Sequence, residues 1–575
     1  MIFGYKLNTY FLFNLVFWFI VFLFLIKGID LIYFTYPDES RNAFATYYMF
    51  YKNTLYNWVV PYYNGEIRYD KPALIYYIAN LFYLLLKNFN VSIEVSYRLV
   101  SVFSMFFSAI IGFKFGNILF ENIFYRYLSV VIFISFVNIF VESKAFVPEP
   151  LFTFFILLSF YLFFRFYQTQ NYLYLNLFLI SLALANFTKG IVSYIIILLP
   201  IFMFLFFYNR YSLKQIFFIF LNKKLILGWL GHFIVGYTWY LLVYLFTNGE
   251  FIKNFLLLHN IGRFTGTSKM HLNPFYFYFI VIIINVIPIW ELVSLILANL
   301  NKIKFKDYLK NSLHIYLIFV FTFILIFYSL SKGKVHHYIM PTFLPLSLFL
   351  TNFIKNILES NFLINKSKFN LFMFLFISTL FSIFLLFFYL NFNLNTIQFI
   401  NVNKIIFNLV YLNLFFTFLI VFIFLFDSLK YFRIFVIFVF SFIKIILFYS
   451  YILNDINLKK LSSEFIEIIV NSDNKEIITI GDIASISFYN LYFNKSEKTI
   501  NLPIDNSKDY VNILNWINKK QIIVFCKSKY LDNLKNAILN DYKNDYNYKN
   551  EYKIVSIKKV FVVSQKILLI QIEKK

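Results

Sequence analysis

Cysteine and charged residues are scarce in this chain, and each shortage excludes a class of protein. Cys526 is the only cysteine among 575 residues, which excludes an internal disulfide and a cysteine metal cluster. Charged residues make up 14% of the chain and hydrophobic residues 61%, whereas an average soluble protein has about 25% charged residues. The apolar runs are also too long and too numerous for the core of an ordinary soluble domain. The chain as a whole is therefore not a soluble protein.

Many of the apolar runs approach the roughly 20 residues that cross a bilayer as a helix. The sequence predicts a polytopic α-helical membrane protein with about 13 transmembrane helices, followed by a soluble α/β domain. The first run lacks a small-residue cleavage pattern, so we interpret it as an anchor that stays in the protein. The predicted spans lie near residues 10–29, 97–119, 125–141, 149–167, 171–187, 190–209, 226–246, 275–298, 312–330, 337–354, 369–390, 404–426 and 431–453.

The formal net charge of +24 is concentrated between the apolar runs. Four connectors are the most basic, at residues 210–224, 302–310, 355–368 and 430–433. Cytoplasmic loops of membrane proteins carry such an excess of Lys and Arg, and anionic lipids attract it. We therefore assign these connectors to the cytoplasm and expect membrane lipids as partners and no nucleic acid.

This assignment brings three regions to the outer face, at about residues 34–96, 247–274 and 331–336. Inside the first region, the apolar stretch 73–86 is too short to cross and is predicted to be a juxtamembrane or re-entrant helix. After residue 453 the composition becomes polar, with β-rich runs at 476–480, 521–525 and 566–571 and a helix-like stretch at 530–539. We predict a transmembrane domain over residues 1–453 and an extracytoplasmic α/β domain over residues 454–575.

A dense charged segment directly follows the first span. Asp38 and Glu39 come first, with Arg41 close behind. One interpretation is a carboxylate pair that caps a helix over residues 40–52. The other is a general base outside the bilayer, Asp38, whose ionisation is set by Glu39 and Arg41.

Two further outer segments carry lysines beside residues that shape the backbone. Lys71 follows Asp70 and precedes a proline at the start of the stretch 73–86. It is either a basic anchor at a helix N-terminus or a cation that meets a lipid-linked phosphate. Lys332 and Lys334 flank a glycine, which lets the backbone approach an anion. Because basic flanks belong on the cytoplasmic side, these outer lysines favour an anion site.

The outer region 247–274 contains His259 and Arg263. A single histidine is more often structural than catalytic, and His259 with Asp70 would supply only part of the coordination sphere of a divalent cation. We interpret the adjacent pair His336 and His337 as interfacial aromatic residues with polar tips.

Together these segments resemble the bacterial lipid A aminoarabinose transferases and, more broadly, the protein O-mannosyltransferase-like branch of the GT-C membrane glycosyltransferases. The similar stretches cover roughly residues 30–345, and their order and spacing are more specific than any one of them. They are Pro37–Arg41, Trp58–Pro61, Arg68–Pro72, Arg98–Leu99, Pro148–Leu151, Thr188–Gly190, His259–Phe264, Pro274–Phe275 and Ser331–Lys334 with Tyr338.

The resemblance implies roles for six of the matched residues. Asp38 would be the catalytic or acceptor-orienting carboxylate, and Glu149 the second acidic residue. Lys71 and Arg263 would bind the donor phosphate, while Asp70 and His259 fall at positions that hold a divalent cation in some members. The family often has Glu where this chain has Asp70, and Asp where it has Glu149, so each charge moves by one methylene.

From the residues and the resemblance we expect inverting transfer of a sugar from a polyprenyl-phosphate donor to lipid A or another envelope acceptor, on the outer side of a bacterial cytoplasmic membrane. Lys71, Arg263, Lys332 and Lys334 would hold the phosphate as its charge develops. Two alternatives stay open: transfer to protein hydroxyls or to a surface glycan, and a non-enzymatic transporter or flippase for lipid-linked sugars. The near absence of ionisable residues within the spans favours the transferase.

Overall fold

The computed structural model describes residues 2–30, 33–34, 37–267, 271–300 and 309–359, and parts of the chain beyond residue 442. In this later part it describes residues 443, 447, 469–470, 476–480, 484–493, 500–502, 522–527, 552–562 and 565–574. The predicted spans at 369–390 and 404–426, the predicted helical stretch 530–539 and all of the predicted span 431–453 except residues 443 and 447 lie outside the described residues.

The described chain up to residue 359 is predominantly helical, as its apolar runs predict. The α-helices of this part are Ile2–Ile26, Pro37–Lys52, Leu55–Val59, Leu74–Leu86, Ile93–Leu119, Ile123–Ser135, Val137–Glu142, Pro148–Thr169, Tyr172–Lys189, Val192–Met203, Leu213–Phe220, Ile226–Phe246, Glu250–Asn254, Gly262–Thr265, Phe277–Val286, Trp290–Leu297, Ser312–Leu330 and Phe343–Glu359. Two π-helical segments, Phe204–Tyr208 and Phe255–Ile261, extend neighbouring helices.

Five helices in the described residues are long and apolar enough to span a membrane. They are Ile93–Leu119, Pro148–Thr169, Lys223–Phe246, Phe277–Leu297 and Ser312–Leu330. All five coincide with predicted spans, and the polytopic α-helical membrane class is confirmed. The short apolar helix expected at 73–86 is also present, as Leu74–Leu86.

Several boundaries differ from the prediction. The span expected at 125–141 is broken at Phe136, whose backbone is extended, into the helices Ile123–Ser135 and Val137–Glu142. The helix expected at residues 40–52 begins earlier, at Pro37, so Asp38 and Glu39 lie inside its first turn. The outer region 247–274 was expected as a loop, yet residues 250–265 are helical. Apolar residues such as Phe251 and Phe255 are buried there, and their burial stabilises helical turns that a topology assignment from charge does not detect.

The chain divides into two compact units. The first takes its described residues from Met1–Gly28, Asp70–Ile75 and Arg98–Ile456, and the second from Ile29–Tyr69, Tyr76–Tyr97 and Asn457–Lys575.

In the first unit, the helices Pro148–Thr169 and Tyr172–Lys189 form a tight antiparallel hairpin. Gln170 turns the chain in the left-handed region, with a φ of 53°. Asn171 then caps the second helix by accepting from the Leu173 amide at 2.9 Å. Ser159 Oγ donates to Ser181 Oγ across the hairpin at 3.0 Å. The hairpin therefore brings the start of its first helix beside the end of its second.

In the second unit, the tail helix Ala484–Tyr492 packs against the helix Pro37–Lys52. The rings of Tyr47 and Tyr492 lie 5.3 Å apart. The hydroxyl of Tyr489 accepts from the Phe34 amide at 2.9 Å and donates to Glu94 Oε1 at 2.6 Å. Residues from opposite ends of the sequence thus share one packed cluster.

A five-stranded mixed sheet completes the described part of the tail, as the α/β prediction requires. Its strands, in spatial order, are Ile500–Leu502, Glu476–Ile480, Ile522–Lys527, Gln565–Lys574 and Tyr552–Val562. The first three are parallel, and the last two join by antiparallel pairing. The three predicted strands are present, and the two outer strands were not predicted.

Candidate functional site

Glu149 forms the centre of a buried charge cluster in the first unit. It lies between two prolines in the first turn of the helix Pro148–Thr169. Proline is favoured at the first helical position, and the helix dipole favours a carboxylate there. The residue is only 4% exposed. A carboxylate at that depth requires partners of opposite charge, since an isolated buried charge is very costly.

Two lysines supply these partners. Lys189 Nζ lies 3.1 Å from Glu149 Oε1, and Lys71 Nζ lies 3.6 Å from the same oxygen. Both lysine side chains are 12% exposed. Two ammonium groups therefore share one carboxylate in a site from which most water is excluded, where charges act strongly on one another.

Lys189 owes its position to the end of its own helix. It is the last residue of Tyr172–Lys189, where the helix dipole favours a cation. Gly190 then ends the helix with a φ of 92°. A Cβ at that position would lie 2.6 Å from Phe255 Cζ, so the turn needs glycine both for its conformation and for its space. The segment Thr188–Gly190, noted in the sequence, is thus the structural support of a site cation.

A second buried carboxylate, Glu142, lies seven residues before Glu149 and contacts two histidines. Glu142 Oε1 is 2.9 Å from His336 Nε2 and 3.4 Å from His337 Nδ1. The other ring nitrogen of His337, Nε2, lies 3.6 Å from Glu149 Oε1. The His337 imidazole therefore bridges the two carboxylates.

The charges of this second group shift its pKa values in opposite directions. Burial by itself raises the pKa of Glu142, but the charge of His337 and the hydrogen bonds from both imidazoles outweigh it and lower the pKa to about 2. Burial by itself lowers the pKa of His336, and the hydrogen bond to Glu142 outweighs it, so the pKa lies above the ordinary value. Both pKa shifts indicate that the Glu142 carboxylate is ionised and hydrogen-bonded to the imidazoles of His336 and His337.

A cavity of about 310 Å³ opens beside the lysines. Its polar lining includes Asp70, Lys71, Lys189, His259, Arg263 and Tyr338, and most of the remaining lining is apolar, from residues such as Ile195, Phe264 and Phe327. The lining carries three cations, Lys71, Lys189 and Arg263, and one carboxylate, Asp70, so one positive charge remains in surplus when Glu149 is also counted. Such a cavity suits a molecule with an anionic head and an apolar chain.

Tyr338 connects the cations around this cavity. Lys189 Nζ lies 4.2 Å from the centre of its ring, within the range of a cation–π interaction. Arg263 Nη1 donates to its hydroxyl at 3.4 Å. The hydroxyl of Tyr328, whose ring lies 5.3 Å from that of Tyr338, is buried, has no hydrogen-bond partner among the described residues and borders the same cavity.

Lys332 and Lys334 lie in a segment that is held to residues 263–273 by backbone hydrogen bonds. The amides of Lys332 and Gly333 donate to the carbonyls of Phe264 and Arg263 at 3.0 and 2.9 Å. Lys332 is exposed, whereas Lys334 is buried and donates from Nζ to the Asn273 carbonyl at 2.9 Å. Burial lowers the pKa of Lys334. The phosphate-binding role of both lysines stays a prediction, and Lys334 has a structural contact of its own.

Asp38, Glu39 and Arg41 belong to the second unit. Asp38 Oδ1 lies 3.4 Å from Arg41 Nη1, and both side chains are partly exposed. Glu39 is buried, at 4% exposure. The catalytic role of Asp38 and the supporting roles of Glu39 and Arg41 stay predictions.

Asp70 and His259, the predicted metal pair, line the same cavity. Their metal role stays a prediction. Within the described residues, the one group of three or more ligating side chains with all ligand atoms mutually close is Glu142, His336 and His337. The sequence interpretation of the two histidines as interfacial aromatics did not anticipate their contact with Glu142. The sequence signal that could have indicated this group is Glu142 itself, an acidic residue in an apolar stretch seven positions before Glu149.

Comparison with known protein families and relatives identifies the chain's lineage. The family model for dolichyl-phosphate-mannose-protein mannosyltransferase matches residues 15–247. An uncharacterized protein of Aquifex aeolicus (strain VF5) is 34% identical over 332 residues, which cover 57% of this chain and 70% of that protein. The undecaprenyl phosphate-alpha-4-amino-4-deoxy-L-arabinose arabinosyl transferase of Wigglesworthia glossinidia brevipalpis is 29% identical over 339 residues, or 58% of this chain and 56% of that enzyme.

Among solved structures, the crystal structure of ArnT from Cupriavidus metallidurans bound to undecaprenyl phosphate superposes with a TM-score of 0.69. The superposition includes 97% of this chain and 98% of that chain at 12% sequence identity. It shows that the two proteins share a fold. With the family model and the Aquifex relative, this similarity confirms the resemblance drawn from the sequence motifs. The chain belongs to the GT-C membrane glycosyltransferases, in the protein O-mannosyltransferase-like branch that includes the lipid A aminoarabinose transferases.

Proposed function

We propose that this chain transfers a sugar from a polyprenyl-phosphate donor to lipid A or a related envelope acceptor. The observation that carries the proposal is the pair Lys71 and Lys189, which share the single carboxylate of Glu149 at the edge of a largely apolar cavity. The relative from Wigglesworthia glossinidia brevipalpis bears the name undecaprenyl phosphate-alpha-4-amino-4-deoxy-L-arabinose arabinosyl transferase, and this chain spans 56% of its length.

The donor phosphate would be held by cations, and the prenyl chain by the apolar lining. Lys71, Lys189 and Arg263 all line the cavity, and a guanidinium or ammonium binds phosphate oxygens through short, charge-assisted hydrogen bonds. Glu149 keeps the two buried ammonium groups in place without cancelling their combined charge. This surplus suits the dianionic phosphate that forms when the sugar leaves.

The reaction is a single displacement at the anomeric carbon. An acceptor oxygen forms the new bond to that carbon while the bond from the carbon to the phosphate oxygen breaks, and the electron pair leaves with polyprenyl phosphate. The departing phosphate needs no proton, so catalysis depends on stabilising its charge and on removing the acceptor proton. Asp38 would accept that proton, or orient the acceptor when the acceptor is itself a phosphate. One displacement inverts the configuration.

We infer further that the reaction takes place on the outer side of a bacterial cytoplasmic membrane. The basic connectors described in the sequence support this orientation. The chain is a multi-pass membrane protein. The assignment of residues 34–96, 247–274 and 331–336 to the outer face follows only from placing the basic connectors in the cytoplasm. A cysteine-labelling experiment with a membrane-impermeant reagent, at Thr267→Cys and at Asn209→Cys in a Cys526→Ser background, would test it, with labelling of intact spheroplasts expected only at position 267.

A transfer assay with the purified chain in detergent tests the proposed reaction. The donors would be undecaprenyl phosphate-linked 4-amino-4-deoxy-L-arabinose and polyprenyl-phosphate mannose, and the acceptors would be lipid A and a Ser/Thr peptide. Mass spectrometry would follow the glycosylated product. We expect a glycosylated lipid A. The family model named for protein mannosylation favours a second candidate, a protein hydroxyl acceptor, which a glycosylated peptide would support. Donor movement across vesicles without cleavage would contradict both and favour a flippase.

A further inference from the structure

We propose that Glu142, His336 and His337 bind a divalent transition-metal cation, with Zn²⁺ as the expected ion. The proposal concerns residues other than the predicted pair Asp70 and His259, and it does not depend on the proposed transfer reaction.

The donor set has the chemistry and spacing of a zinc site. Two imidazoles and one carboxylate with an open position are a common zinc ligand set, with bond lengths of about 2.0–2.1 Å. Tetrahedral bonds of that length separate ligand atoms by roughly 3.3 Å. The observed separations from Glu142 Oε1 are 2.9 Å to His336 Nε2 and 3.4 Å to His337 Nδ1, and all three ligating atoms lie within 4.8 Å of one another.

A second observation concerns the ring nitrogen of His337 that does not face Glu142. A metal-bound histidine almost always directs its other nitrogen to a carboxylate, a carbonyl or water. His337 Nε2 lies 3.6 Å from Glu149 Oε1. With the metal on Nδ1, Nε2 carries the hydrogen and points it at Glu149. The arrangement of carboxylate, imidazole and metal would then orient the carboxylate that holds Lys71 and Lys189.

The backbone that carries the two histidines is fixed on both sides. Asn138 Nδ2 donates to the His336 carbonyl at 2.9 Å, and the Tyr278 hydroxyl donates to the Val335 carbonyl at 3.3 Å. The amide of Asn138 in turn donates to Asn285 Oδ1 at 2.7 Å. Such support reduces the conformational entropy lost on binding a metal.

The burial of the ligands indicates how an ion enters. The side chains of Glu142 and His337 are 7% and 8% exposed, whereas that of His336 is 45% exposed. The half-exposed ring of His336 gives access from solvent and leaves a fourth position for water. The ion would be shielded on the side of Glu149 and open on the side of His336.

Metal content gives a direct test that is independent of transferase activity. The full-length chain, purified with a tag that lacks histidine, would be stripped with a chelator, loaded with Zn²⁺, desalted and measured by inductively coupled plasma mass spectrometry. Wild type is expected to retain one Zn²⁺ per chain, and Co²⁺ loading is expected to give visible d–d absorption. Zinc is also expected to raise the thermal midpoint of wild type, because it binds the folded state.

Four variants locate the ion. Glu142→Gln and His336→Gln are expected to lose the zinc and the cobalt spectrum, while His271→Gln, an exposed histidine, retains both. Glu149→Gln is expected to keep the stoichiometry but weaken affinity by about 10- to 100-fold, as loss of an outer carboxylate does.

Wild type with less than stoichiometric zinc and no thermal shift would overturn the proposal, whether or not the variants fold. Zinc retained equally by wild type, Glu142→Gln and His336→Gln would also overturn it. So would loss of zinc in His259→Gln with retention in His336→Gln, since the ion would then lie at the pair predicted from the sequence.

Discussion

The ammonium of Lys189, at the last residue of one helix, lies 3.1 Å from Oε1 of Glu149, in the first turn of the helix before it. The two helices form an antiparallel hairpin, so a C-terminal end meets an N-terminal end. Each charge is favoured by the dipole of its own helix. This contact makes the hairpin a rigid support for the buried cation cluster beside the cavity.

Replacing Glu149 with Gln is expected to reduce the rate of sugar transfer by on the order of 100-fold, because Lys71 and Lys189 lose the charge that positions them. Breaking a buried ion pair also costs up to about 3–5 kcal/mol of stability. Initial transfer rates and thermal midpoints in detergent would be measured together. Glu121→Gln, which alters an exposed glutamate, serves as the control. Wild-type transfer rates in Glu149→Gln would refute this role.

Replacing Lys71 with Met is expected to weaken the binding of undecaprenyl phosphate by about 10- to 100-fold, the loss of one hydrogen bond to a charged group. Competition of free undecaprenyl phosphate against a labelled lipid phosphate would measure the affinity. Lys253→Met removes an exposed lysine from a helix in the region 247–274 and is expected to bind normally. An unchanged affinity for Lys71→Met would remove this lysine from the phosphate site.

Gly190→Ala is expected to destabilise the chain by more than about 1 kcal/mol, because the position has a positive φ and its Cβ would collide with the Phe255 ring. The matched control is Gly231→Ala, where the new Cβ meets the side chain of Ile180 at 3.1 Å inside a helix. Thermal unfolding in the same detergent would compare the two. A thermal midpoint of Gly190→Ala equal to that of wild type would show that the turn after Lys189 tolerates a side chain.

Tyr489→Phe is expected to cost about 1–3 kcal/mol within the second unit, because Glu94 Oε1 and the Phe34 amide both lose a buried partner. Tyr492→Phe, on the same helix, is expected to change stability by less than about 0.5 kcal/mol. Hydrogen exchange of the helix Pro37–Lys52 would report the difference. Equal protection in the two variants would argue against this hydrogen-bonded link.

The sequence predicted the elements whose signal is local, and it missed contacts that depend on folding at long range. The spans at 226–246 and 312–330 agree with the helices Ile226–Phe246 and Ser312–Leu330, because continuous apolar runs determine them. The contact of Glu142 with His336 joins positions 194 residues apart, and no periodicity indicates it. The order of the motifs correctly indicated the family. The contact of Lys71 and Lys189 with the same oxygen of Glu149 could be recognised only from the three-dimensional structure.

The most direct test of the proposed transfer is the stoichiometry of donor cleavage and acceptor glycosylation by the purified chain in proteoliposomes. Undecaprenyl phosphate released and glycosylated lipid A formed would be quantified together by mass spectrometry, for wild type and for Asp38→Asn. We predict one molecule of each per turnover for wild type, and neither product for a correctly inserted Asp38→Asn chain. Intact donor moved across the bilayer by wild type, with no undecaprenyl phosphate released, would contradict the account.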